Sequence, residues 1–224
     1  MTHPSAPSRP FHGAHAQSYD QTNAFWAPLR GALDFTLAQT LAGAPEEARV
    51  LVVGAGTGAE IAFLAERHPG WQFTAVDTSA EMLAICADKA RAGGYGDRVT
   101  IHAGPVETLE AGSFDLATAI LFSQFLTERA ARRAFFAAIA QRLVPGGRLI
   151  SVDLSAPGAE RAAAIDEWLG ITGTATPERQ AQFDAMVSVL PPQEVEALLT
   201  EAGFSAVRPV FQVLLMRGWS ARKA

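Results

Sequence analysis

The loop Gly54-Ala55-Gly56-Thr57-Gly58, set directly behind the apolar run Val50-Leu51-Val52-Val53, constrains this chain more than any other feature. An unbroken short run of branched apolar residues, bounded by turn residues, reads as a strand buried on both faces. Glycines after it allow a tight turn and a close backbone approach to a ligand. From Thr57 to His68 the chain reads as a helix with Ile61, Leu64 and Ala65 on one face, stopped by Pro69-Gly70. The free N–H groups at that helix start suit an anionic group.

The unit recurs along the chain. Trp71 to Val76 reads as a second strand, and Ser79 as the cap of a helix to about Ala92 with Met82, Leu83, Ile85 and Cys86 inward. Val99–His102, Phe114–Leu121 and Arg148–Leu154 read as strands three to five. Between the last two, Thr127 is expected to cap a helix carrying Phe135, Phe136 and Ile139. Strands alternating with helices predict an α/β fold with a doubly wound, mostly parallel sheet. Gln193 to Ala202 reads as a helix closed by Gly203. Val207 to Ala221 then reads as two strands with no helix between them, which makes them antiparallel.

The chain's 224 residues, 49% of them apolar, suffice for one well-buried domain. The expected organisation is a flexible tail over residues 1–17 and a single domain over 18–224. Within that domain, 18–43 form a helical lid and about 156–190 a helical cap. Residues 1–10 lack the apolar core of a secretory signal, and no apolar run reaches the length of a membrane span. A single cysteine, Cys86, forbids an intrachain disulfide and argues against a cysteine metal site, so a cytoplasmic setting and no metal are expected. The net charge of −5 gives no general footprint for nucleic acid, though a local basic patch is compatible with it.

In such sheets a ligand sits outside the carboxyl ends of the strands, which puts the Gly54–Gly58 loop at the centre of any site. Asp77 ends the second strand nineteen residues past Gly58, the spacing of an acid that takes a ribose hydroxyl pair. Loop and acid together imply an adenosine-containing ligand. Gly54, Gly56 and Ala59 also satisfy the dinucleotide fingerprint, so the loop alone fits NAD as well as S-adenosylmethionine (SAM). A phosphate-binding P-loop is ruled out, because no Gly-Lys-Ser/Thr follows. The two tyrosines, Tyr19 and Tyr95, lack a lysine four residues on, so the catalytic pair of short-chain dehydrogenases is missing.

The series Val50–Gly58, Ala75-Val76-Asp77-Thr78-Ser79-Ala80-Glu81-Met82-Leu83, Phe114-Asp115-Leu116-Ala117, Leu143–Leu149 and Ala202-Gly203-Phe204 resembles, in order, the motifs of class I SAM-dependent methyltransferases. The resemblance spans roughly residues 45–220. It implies a seven-stranded Rossmann-like sheet with an antiparallel last strand, and SAM as the cofactor. It further implies Gly54, Ala55, Gly56 and Gly58 around the cofactor's methionine part, and Asp77 on the ribose. Thr78, Met82, Pro105 and Val106 would stand about the adenine, and Ile120 and Leu121 would form the floor. Where Pro105 stands, the family often has an acid that accepts from the adenine amino group. Proline cannot, so adenine recognition here falls to backbone groups or to residues elsewhere. Phe122-Ser123-Gln124-Phe125-Leu126 and the stretch from Phe211 to Gly218 also resemble bacterial relatives of carboxy-SAM synthase, which serves tRNA wobble-uridine modification. In those enzymes a cap arginine holds the added carboxylate, and Arg179 is the matching residue.

Methyl transfer is an in-line displacement that relies on positioning, with a general base only if the nucleophile arrives protonated. In similar methyltransferases the segment around Tyr19 folds over the cofactor. Tyr19 is therefore a candidate to face the sulfonium, and His15, beside His12, a candidate base. Asp153, at the end of the fifth strand, and Gln124, after the fourth, are candidates to meet acceptor or cofactor. Trp26, Arg30 and Trp168 are candidates for the acceptor pocket. Three functions fit: methylation of a small-molecule acceptor, a carboxy-SAM or tRNA-modifying enzyme, and a non-catalytic SAM-binding protein.

Overall fold

The computed structural model describes residues 14–110, 113–171 and 173–224, with the side chains of Ala14 and His15 outside that description. Seven strands form one sheet in the order β3-β2-β1-β4-β5-β7-β6. The parallel part comprises β1 (Arg49–Val53), β2 (Gln72–Asp77), β3 (Val99–Ala103), β4 (Phe114–Ile120) and β5 (Leu143–Leu154). β6 (Phe204–Val213) lies at the edge, and β7 (Met216–Lys223) runs antiparallel between it and β5. Strand order reverses between β1 and β4, the crevice where a ligand enters such a sheet.

The alternation within β1 divides the core. Val50 and Val52 point to one face, with Leu33 and Leu37 of α2 (Ala27–Thr40), Ile61 and Leu64 of α3 (Ala59–Arg67) and Leu83 of α4 (Ala80–Ala92). Leu51 and Val53 point to the other, with Phe136 and Ile139 of α5 (Arg129–Arg142) and Leu198 and Leu199 of α8 (Pro192–Glu201). Helices on both faces explain why β1 carries no polar residue after Arg49.

Ser79 caps α4, its Oγ accepting from Met82 N at 3.2 Å. Ser79→Ala removes that acceptor at a cost of about 1 kcal/mol. In a chain of this size the expected loss in thermal midpoint is roughly 2–4 °C, and an unchanged melting curve would count against the cap.

The structure departs from the sequence reading at several elements. The stretch 18–43 is not one helix. α1 (Ala14–Thr22) ends before Asn23, a 3₁₀ turn spans Ala24–Trp26, and α2 restarts with Pro28 in its first turn. A proline there costs no hydrogen bond, because its N–H would be an orphan anyway. α1 also starts inside the stretch read as tail, at Ala14. Glu128, not Thr127, occupies the N-cap of α5, with no side-chain cap bond. β5 begins at Leu143 and runs through Pro145-Gly146-Gly147, the register with β4 shifting between Phe114 and Leu116 to absorb the irregularity. Ile85 is only half-buried, whereas Met82, Leu83 and Cys86 are fully inward. Between β5 and α8 stand α6 (Arg161–Ile171) and α7 (Pro177–Met186), whose Ile165, Leu169 and Phe183 join the α2–α4 core.

Candidate functional site

The Gly54–Gly58 loop leaves β1 with Gly54 N and Ala55 N both donating to Val76 O, at 2.8 and 3.0 Å. Gly54 has φ +72°, and a Cβ there would lie 2.5 Å from the Phe122 ring, so the loop and the chain after β4 touch through the missing side chain. Gly56 differs. At φ +52° it faces open space, with nothing within 4 Å of where a Cβ would stand. Such bare, turned backbone is what a ligand approaching the loop requires. Gly58 holds the N-cap of α3.

Asp77 ties this loop to β2. Its Oδ2 accepts from Gly56 N at 2.9 Å and its Oδ1 from Ser79 N at 2.9 Å. A carboxylate offers about four lone-pair sites, so both oxygens keep acceptor capacity. The residue thus fixes the loop and the start of α4 while remaining able to take a hydroxyl pair. Thr78 beside it is exposed, whereas Met82 is 2% exposed and packs below. Gly104 N donates to Asp77 O at 2.9 Å, which brings the turn before Pro105 alongside. Pro105 is exposed and Val106 is buried in the α5–α8 core. Arg142 holds that turn from below, its Nε on Leu109 O at 3.0 Å and its Nη2 on Glu107 O at 3.0 Å.

α1 sits over the glycine loop. Asp20 accepts from Thr57 Oγ1 at 2.8 Å and pairs with Lys89 of α4. Burial alone raises the Asp20 carboxyl, but hydrogen bonds from Lys89 and Thr57 outweigh it and hold the group below its ordinary range. Burial, then the charges of Asp20 and Asp77, push the Tyr19 phenol up, so it stays protonated. His15 and His12 lie outside the described side chains.

Arg30 of α2, a candidate for the acceptor pocket, pairs with Asp34 through Nε at 2.8 Å. Its Nη2 is buried without a hydrogen-bond partner among the described residues. Nearby Glu60, in the first turn of α3, is buried and accepts from Thr118 Oγ1. Burial raises the Glu60 carboxyl, opposed by the charge of Arg30 and the bond from Thr118.

At the end of β5, Asp153 departs from the expectation of a pocket-facing acid. It is 0% exposed and both its oxygens are engaged. Oδ2 accepts from Ser123 Oγ at 2.7 Å and meets Arg132 Nη2 at 3.3 Å, while Oδ1 accepts from Gln124 N at 3.0 Å. Arg132, equally buried, donates from Nε to Ser123 Oγ at 2.8 Å and from Nη1 to Ser188 O at 3.1 Å. Gln124 is likewise turned inward, its Oε1 accepting from Leu154 N at 2.8 Å and its carbonyl from Ser188 N at 2.8 Å. This network binds the chain after β4 to β5 and to the segment following α7. Ile120 and Leu121, both half-buried, stand at the head of that chain, and Leu121 takes φ +54°.

Trp26 and Trp168 stack at 4.8 Å and 15°, joining the 3₁₀ turn to α6. Phe25 meets Trp26 edge-on and is 64% exposed. Arg179 Nη1 donates to Leu169 O at 3.3 Å and Thr174 O at 3.0 Å, so it staples α6 to α7. The structure therefore gathers Tyr19, the glycine loop and Asp77 at one place and pairs Trp26 with Trp168. It turns Asp153 and Gln124 into the frame. Sequence reasoning missed Arg132 and Asp20. Arg132 lies on the same helical stripe as Phe135, Phe136 and Ile139, so an arginine in an apolar face was the available signal.

This sheet order, with a glycine loop behind β1 and an acid ending β2, defines the Rossmann-like methyltransferase fold. Residues 50–147 match the family model described as a methyltransferase domain. A putative O-methyltransferase of Nostoc punctiforme superposes with a TM-score of 0.70 at 21% identity, covering 98% of this chain and 64% of its own. An O-methyltransferase family 2 protein of Planctomyces limnophilus, solved with apigenin, gives 0.69 at 18%, covering 92% and 61%. An uncharacterised protein of a Synechococcus strain is 31% identical over 105 residues, 45% of this chain and 24% of that protein. The chain thus spans about a quarter of the curated relative and under two thirds of these two structures. Among the described residues no helix is long and apolar enough to cross a membrane, and no group of three or more His, Cys, Asp or Glu is placed to hold a metal.

Proposed function

We propose that the protein binds SAM against the Gly54–Gly58 loop and transfers its methyl group to a small-molecule acceptor. The observation that carries this reading is Asp77, which grips the loop at Gly56 N and keeps lone pairs to spare, beside a Gly56 that opens onto free space. The cofactor, when bound, supplies an electrophilic methyl group, so the protein's work is binding and orientation. Gly54, Ala55 and Gly56 receive the methionine part, Asp77 the ribose hydroxyls, and Thr78, Met82, Pro105 and Val106 the adenine. Ile120 and Leu121 form the floor. The orphaned Arg30 Nη2 supports a further assignment. A buried guanidinium donor lacking a partner fits the cofactor's carboxylate better than an acceptor group.

Tyr19, protonated and held beside the loop, donates toward the reacting centre, while Trp26 and Trp168 wall the acceptor side as lid and cap. That aromatic wall and the O-methyltransferases of similar fold support a small acceptor. The test is a screen of cell extract for acceptors of radiolabelled methyl from SAM. A labelled small molecule is expected. Label in RNA, or binding of SAM with no acceptor found, would overturn the reading in favour of RNA modification or non-catalytic binding. Tyr19→Phe is expected to lower kcat/KM about tenfold with unchanged melting. Because the phenol is pushed up, the wild-type rate profile should show no Tyr19 limb below about pH 10.

A further inference from the structure

Three arginines share one cleft at the far end of the sheet. Arg148, Arg208 and Arg222 line it with Ser220 and the last turn of α2 at Thr40, and its volume is about 260 Å³. The register explains how they meet. Arg148 of β5 stands directly opposite Arg222 of β7, and Ile150 opposite Ser220 two residues on, so these side chains share a face. Ser220 is in turn opposite Arg208 of β6. Uninterrupted pairing from Ser205↔Arg222 would set Arg208 against Trp219, on the other face. A register shift between Ser205 and Arg208, with Ala206 at φ +49°, inserts one residue and turns Arg208 toward the other two.

This arrangement is costly by itself. Like charges directly across a strand pair repel, and a non-glycine residue in the left-handed region is strained. Among the described residues none of the three arginines forms an ion pair, and no carboxylate lines the cleft. Arg148 donates to Thr40 O and Arg222 to Gly146 O at 3.2 Å, which leaves most of their donors available. Burial, then the charges of Arg222 and Arg208, pull the Arg148 guanidinium below its ordinary range. In a chain of net charge −5 this is local positive potential without a counter-charge.

We propose that this cleft binds a small phosphate-bearing anion, the class of ligand that three convergent guanidinium forks match. The site is separate from methyl transfer. Arg148 lies five residues before Asp153 along β5, about 17 Å at the rise of a strand, and toward the opposite end of the sheet from the glycine loop. A compact cleft closed by the end of α2 fits a phosphate group of a small molecule better than the continuous track that a nucleic-acid backbone needs.

The test is calorimetry at low salt with inorganic pyrophosphate and, in parallel, ADP, on the full chain. Wild type is expected to bind pyrophosphate. Arg208→Ala should weaken it at least tenfold, and the Arg208→Ala/Arg222→Ala pair should abolish it. Arg208 is exposed, so its variant should melt as wild type does. Arg222→Gln, which keeps a donor toward Gly146 O, serves as a second variant and should also weaken binding. Equal affinity for ADP, lost in the same double variant, would assign the site to an esterified diphosphate, and pyrophosphate alone to the free anion. The proposal is overturned if neither shows binding that the double arginine change removes, if pyrophosphate binding survives both arginine changes, or if a single-stranded RNA binds where pyrophosphate does not.

Discussion

Asp77→Ala is expected to weaken SAM binding by at least a hundredfold. The change removes the acceptor proposed for the ribose hydroxyls, and hydrogen bonds to a charged group are worth roughly 1.5–3 kcal/mol each. It also frees Gly56 N and Ser79 N, which now rest on the two carboxylate oxygens at 2.9 Å each, so the glycine loop loses its tether to β2. Two effects in one residue mean that size alone does not separate them. Asp77→Asn separates them in part. Its single carbonyl oxygen retains one backbone donor, and its amide nitrogen opposes the other, so the expected loss lies between wild type and alanine. Calorimetry with SAM reads the affinity, and circular dichroism checks that the sheet survives. An Asp77→Ala protein that folds and binds within threefold of wild type would contradict the assignment.

The largest stability effect is expected at Arg132. Replacing it with Met leaves the Asp153 carboxylate fully buried and without its counter-ion, and breaks the donors to Ser123 and Ser188. Removing one partner of a buried pair typically costs about 3–5 kcal/mol. In a chain of this length that corresponds to a fall of roughly 10 °C in thermal midpoint. The double change Arg132→Met/Asp153→Leu removes both charges and should recover much of the loss. Because Ser123 and Gln124 follow directly on the turn at Leu121, proposed as part of the cofactor floor, the single variant should also raise KM for SAM. A single variant that melts within 2 °C of wild type would show that the pair contributes little.

The same residues show what is legible in a sequence of this kind. β1 was readable to within one residue, because a strand buried on both faces announces itself as Val50–Val53 between turn signals. The place of Asp77 at the end of β2, against the loop, was readable from its distance to the loop, since a strand–helix–strand unit of fixed size lies between them. The interior network was not. Asp153 stands where a strand end meets the ligand crevice, which spacing alone reports as an active-site position. Only the packed fold brings Arg132 and Ser123 onto it from other elements, thirty residues or fewer away in sequence but on a different helix and turn. Arg30 was read as an acceptor-pocket candidate, and the structure adds an i, i+4 pair with Asp34 that competes with any ligand for the same guanidinium. The arginine cleft was hidden for a related reason. One inserted residue in β6 decides which face Arg208 takes, and no pattern in Ser205–Arg208 marks it.

The central claim is that the glycine loop and Asp77 form a SAM site and not a dinucleotide site. A calorimetric titration of the Arg208→Ala/Arg222→Ala chain, whose arginine cleft no longer takes a diphosphate, with SAM, followed by an identical titration with NAD, tests it directly. The account predicts saturable SAM binding at one per chain and no measurable heat from NAD. Absence of SAM binding, or tighter binding of NAD, would contradict it.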